Sequence, residues 1–99
     1  MTLAEALEEA AAELTGTAAR TTDSGTEWSV RGRLFAAVTD RAAEFLLAPE
    51  VARAARGTPD TAASVRGGDW IAFTPGELDR FALDRAVAWF GSAHRHARG

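Results

Sequence analysis

Apolar and polar positions alternate from Trp28 to Phe45, and that alternation organises the chain. Trp28 and Val30 point one way; Glu27, Ser29 and Arg31 point the other. Gly32 permits the positive φ that a tight hairpin needs. Leu34, Ala36 and Val38 then share one face, and Phe35 and Ala37 the opposite one. Both faces are apolar, so this segment reads as the central strand. Asp40-Arg41 turns the chain into a third strand, about Ala43 to Leu47. A second short apolar run, Trp70-Ile71-Ala72-Phe73, adds a fourth.

Three segments carry helical spacing instead. From Thr2 to about Thr15, Leu3, Leu7, Ala10 and Leu14 form one stripe, and Glu5, Glu8, Glu9 and Glu13 take the outer face. Thr2 and Glu5 have the spacing of a capping box, and Gly16 is a natural stop. Pro49 suits the first turn of a helix running to Arg56, which Gly57 and Pro59 end. Thr74-Pro75-Gly76-Glu77 reads as a second capping box, opening a helix to about His96. Its apolar arc is Leu78, Ala82, Ala86, Trp89, Phe90 and Ala93, with Arg80, Asp84, Gly91 and Arg95 opposite. Thr17 to Gly25 and Asp60 to Gly68 read as irregular. The expectation is one α+β domain over residues 1–99, with a four-stranded antiparallel sheet covered on one face by the first and last helices.

Composition narrows the function classes. Five Phe and three Trp in 99 residues suffice for one modest core. The absence of cysteine removes disulfides and thiolate chemistry and fits a reducing cytoplasm. No apolar run approaches the roughly 20 residues of a membrane span. The N-terminus is acidic early, so no signal peptide is expected. Net charge is -3, against the basic excess that phosphate binding favours. After the acidic first helix, however, eleven arginines stand close to balance with the remaining acids.

Little else carries chemistry. His94 and His96 are two apart on a helix and point to different sides, so they share no metal; they read as a solvated helix end. No serine has a nucleophile-elbow setting, and Arg66-Gly67-Gly68-Asp69 is too short and too acidic to cradle a phosphate well. No two carboxylates are placed for paired acid–base work. No enzyme, metal or cofactor is expected. The candidate constellation is electrostatic: Arg31 and Arg33 flank the hairpin tip, and Arg66 precedes the glycine joint. Arg53 and Arg56 lie on the short helix. If they converge, their forked donors make a surface for phosphate or carboxylate. Trp28, Trp70, Trp89, Phe35 and Phe45 read as core. Phe81 lies at the margin of the last helix's apolar arc and is the aromatic expected to be exposed.

The order helix, three-stranded meander, short helix, strand, long helix resembles the MmcQ/YjbR-like proteins, relatives of the N-terminal domain of TfoX. Trp28-Ser29-Val30-Arg31-Gly32-Arg33-Leu34-Phe35-Ala36 is similar to that family's hairpin. Phe45-Leu46-Leu47-Ala48-Pro49-Glu50 resembles its third strand entering a helix, Asp69-Trp70-Ile71 its Trp-bearing strand, and the segment from Leu78 its closing helix. The resemblance implies DNA binding, with Arg31, Arg33 and Arg66 as the candidate contacts. Two readings stand open: a nucleic-acid or phosphate-binding module using those arginines, and a protein-interaction or self-association module using an exposed sheet face or the final helix, including Phe81.

Overall fold

The computed structural model describes residues 1–99. Its elements are α1 (Leu3–Ala12), β1 (Thr17–Thr21), β2 (Thr26–Val30), β3 (Arg33–Val38), β4 (Ala43–Leu46), α2 (Pro49–Arg56), β5 (Thr61–Ala63), β6 (Trp70–Phe73) and α3 (Arg80–Arg98). All strands join one antiparallel sheet in the order β1-β2-β3-β4-β6-β5. α1 and α3 cover one face, as expected of this α+β class, and no helix is long and apolar enough to cross a membrane.

The sheet has six strands rather than four. The additions are the edges: β1 lies outside β2, and β5 outside β6. Both fall in segments that read as irregular. β1, Thr-Ala-Ala-Arg-Thr, is almost wholly exposed and buries no apolar face, so it has no alternation to reveal it. Its pairing rests on the backbone ladder and the cross-strand Arg20–Glu27 bond.

The central strand also differs from simple alternation. The register between β2 and β3 shifts after Trp28: Trp28 opposes Ala36, while Ser29 opposes Leu34. Phe35 is the extra residue of a β-bulge. The bulge sends Phe35 to the helix side, where its ring packs 5.2 Å from that of Phe90 and 5.4 Å from that of His94. Leu34 is thereby left with Ala37 on the opposite face, the reverse of the grouping that strict alternation gives.

The core lies between the sheet and α1 and α3. Trp28, Phe35, Phe45, Phe73 and Phe90 are fully buried there with Leu7, Leu47 and Ile71, and Leu3 joins them. Trp28 meets Phe90 edge-on, with centroids 5.2 Å apart. The small residues Ala82, Ala86, Ala93 and Ala97 let α3 approach the sheet closely. α2 packs on β5 and β6 through Ala52 and Ala55.

Helix ends follow capping chemistry. The Thr2–Glu5 box forms in both directions, at 3.1 and 2.8 Å. α2 has its expected limits. α3 begins later than the Thr74-Pro75 signal implies: Asp79 is the N-cap, its Oδ1 accepting from the Ala82 amide at 2.9 Å. Thr74 is held elsewhere, its amide donating to the Asp60 carbonyl at 2.8 Å, so Leu78 stands before the helix and is 40% exposed. Trp28 is buried as expected, whereas Trp70 and Trp89 are only half-buried.

Candidate functional site

The three candidate arginines are divided between the two sides of the sheet. Arg31 and Gly32 form the tip of the β2–β3 hairpin, both at positive φ (53° and 75°), the conformation of a tight hairpin turn. From there Arg31 Nη1 donates to the Arg98 carbonyl at 3.0 Å, and Arg33 Nη1 to the Ala97 carbonyl at 3.4 Å. The last carbonyls of a helix lack intrahelical donors and form its electronegative end. The hairpin arginines therefore cap α3 from a distant part of the chain.

Arg66 is on the other face, at the turn between β5 and β6. Its Nε donates to Glu44 Oε1 at 3.1 Å and its Nη2 to Glu27 Oε2 at 3.2 Å. Arg20 Nη2 reaches the second oxygen of Glu27 at 2.6 Å, and the Ser64 hydroxyl donates to Glu44. The Arg66 guanidinium also lies 5.0 Å from the centre of the Trp70 ring. Together these side chains roof the face that carries no helix. Glu27, Ala37 and Glu44 are cross-strand neighbours in one row, and small Ala37 leaves room for Arg66 above it. The Arg20 hydrogen bond, then the Arg66 one, holds the Glu27 carboxyl below the ordinary glutamate range. Burial opposes the charge of Arg66, but the bonds it donates to Glu44 and Glu27 outweigh that and raise its pKa above the ordinary arginine value.

Arg53 and Arg56 are exposed on α2. The structure thus joins Arg31 with Arg33 and leaves Arg66 apart from them.

His94 is not the solvated residue its place near the chain end suggests. It is buried, and its Nε2 lies 3.2 Å from the Thr15 carbonyl. A carbonyl only accepts, so Nε2 carries the proton and ties α3 to the loop after α1. No group of three or more His, Asp or Glu side chains is placed to hold a metal ion.

Phe81 is exposed as expected, at 78%, in the first turn of α3. It is one wall of a hollow of about 270 Å³ whose other walls are Pro59, Phe73, Ala82 and Arg85, with Asp60, Glu77 and Asp79 around it. The Arg85 guanidinium lies 5.9 Å from the ring centres of Phe73 and Trp89. Phe81 is legible in the sequence and the hollow is not, because Pro59 and Phe73 come together only through the β5–β6 pairing.

No protein-family model, curated protein or solved structure matches the chain.

Proposed function

We propose that the protein is a small non-enzymatic interaction module that self-associates through the surface around Phe81. The observation that carries this reading is an exposed aromatic knob standing at the wall of a hollow of mixed polar and apolar lining, both on one patch. A two-fold dimer uses the same patch on both copies, so knob and hollow must lie together, each copy's Phe81 entering the other's hollow. Exposed aromatics of this kind are favoured anchors at interfaces. The rim holds both signs, Asp60, Glu77 and Asp79 with Arg85, so two copies can meet without uniform repulsion. The cysteine-free chain fits a reducing, cytoplasmic setting.

The phosphate reading is less well supported, because each candidate arginine already donates to an acceptor in its own chain. Light scattering behind a sizing column tests the choice. The wild type should gain mass with concentration, and Phe81→Glu should stay monomeric. A wild type that remains monomeric, together with salt-sensitive duplex DNA binding lost in Arg33→Glu, would reverse it.

A further inference from the structure

A second surface, independent of Phe81, lies on the outside of the helical layer. α1 and α3 part to leave an apolar groove of about 420 Å³, walled by Met1, Ala6, Ala10 and Leu14 on one side and by Val87, Phe90 and Gly91 on the other. The charged side chains in its lining are Glu9 and Glu13. The adjoining C-terminal end of α1 has no basic residue in its last turn, so the carbonyls there add to the negative field. The Arg95 guanidinium lies over Gly91.

Gly91 gives a second, independent indication. It lies within α3, where glycine is unfavourable, yet an added Cβ would meet only the mobile tip of Arg95, at 3.4 Å. No backbone or core atom requires glycine at that position. What glycine does is keep the groove open along its α3 wall. Val87, 38% exposed, and Met1, 67% exposed, leave apolar surface uncovered on either side.

We infer that the α1–α3 groove docks a basic amphipathic helix of a protein partner. The partner's apolar face fills the channel between Ala10 and Gly91, and its Lys or Arg side chains pair with Glu9 and Glu13. An amphipathic helix laid in a hydrophobic groove is a recurrent recognition mode, and the acidic rim selects the sign of the helix.

The test uses the full chain and a fluorescent model peptide of Leu and Lys patterned as an amphipathic helix, read by anisotropy. A Leu/Glu peptide of the same pattern and a Gly/Ser/Lys peptide of the same charge serve as comparisons. The Leu/Lys peptide should bind and the other two should not. Gly91→Leu fills the groove without altering charge and should weaken binding about tenfold or more, while its thermal midpoint stays at or above that of the wild type. The Glu9→Lys/Glu13→Lys double variant should weaken binding similarly. Binding that is unchanged in Gly91→Leu, or equal for the Gly/Ser/Lys peptide, would overturn the inference. So would a concentration-dependent dimer that Gly91→Leu abolishes and Phe81→Glu does not, because a second copy would then be the occupant.

Discussion

Glu27 and Glu44 stand in one cross-strand row, separated only by Ala37, and both are bonded by the guanidinium of Arg66. Two like charges two strands apart repel, and their side chains are mostly covered, at 17% and 18% exposure. Arg66 makes the arrangement favourable and, with Trp70, closes the face that has no helix.

Removing Arg66 should therefore cost more than losing a surface ion pair. Arg66→Ala is expected to destabilise the fold by about 1–2 kcal/mol, because two partly buried acceptors lose a donor together. Pairing it with Glu44→Gln should recover part of the loss. Urea unfolding of the single and double variants measures both effects, and strictly additive losses would contradict the shared role.

The same network sets an acid limit. Glu27 is more acidic in the folded chain than in the unfolded one, through Arg20 first and Arg66 second. The unfolded state consequently takes up a proton at higher pH. The stability Glu27 contributes is present above the ordinary glutamate value, 4.5, and is lost as pH falls through the lower folded value. Glu5, whose pKa is lowered by the Thr2 backbone and side-chain bonds, acts in the same direction. Urea midpoints should fall across this acid range, and Glu27→Gln should flatten part of the slope.

Two glycines should respond in opposite ways to alanine. A Cβ on Gly25 would stand 1.9 Å from the Val38 carbonyl oxygen, a backbone atom at the end of β3. Gly25→Ala should cost about 2 kcal/mol or more. Gly91→Ala meets only the Arg95 side-chain tip and should stabilise α3 by about 0.5–1 kcal/mol. Thermal unfolding of the two variants separates them by sign.

The start of α3 is equally open to test. Asp79→Ala removes the acceptor for the Ala82 amide and should cost about 1 kcal/mol, whereas Thr74→Ala should leave the cap intact. A larger loss at Thr74 would place the cap where the Thr-Pro signal suggests.

What was legible in the chain is what local chemistry decides. The Thr2–Glu5 box, the limits of α2 at Pro49 and Gly57, the hairpin tip at Gly32 and the strand at Trp70 all follow from near neighbours. So does the exposure of Phe81. The edge strands were hidden because β1 presents Thr, Ala and Arg to solvent and is ordered by the backbone of β2. The bulge was hidden because one inserted residue inverts the alternation that Leu34 and Phe35 otherwise show. His94 reads as solvated in the sequence because its partners, Thr15 and Phe35, lie far from it along the chain. The candidate arginines were found individually, but which faces they occupy depends on long-range pairs: Arg31 with Arg98, Arg33 with Ala97, and Arg66 with Glu27 and Glu44.

Self-association as proposed requires that Phe81 and the hollow it borders form a self-complementary patch. Sedimentation equilibrium of the wild type and Phe81→Glu, from low micromolar to near-millimolar protein, tests it most directly. A reversible monomer–dimer equilibrium is expected for the wild type and a monomer for the variant, with unfolding midpoints alike because Phe81 is 78% exposed. A wild type that stays monomeric at every concentration, or a dimer indifferent to Phe81→Glu, would contradict it.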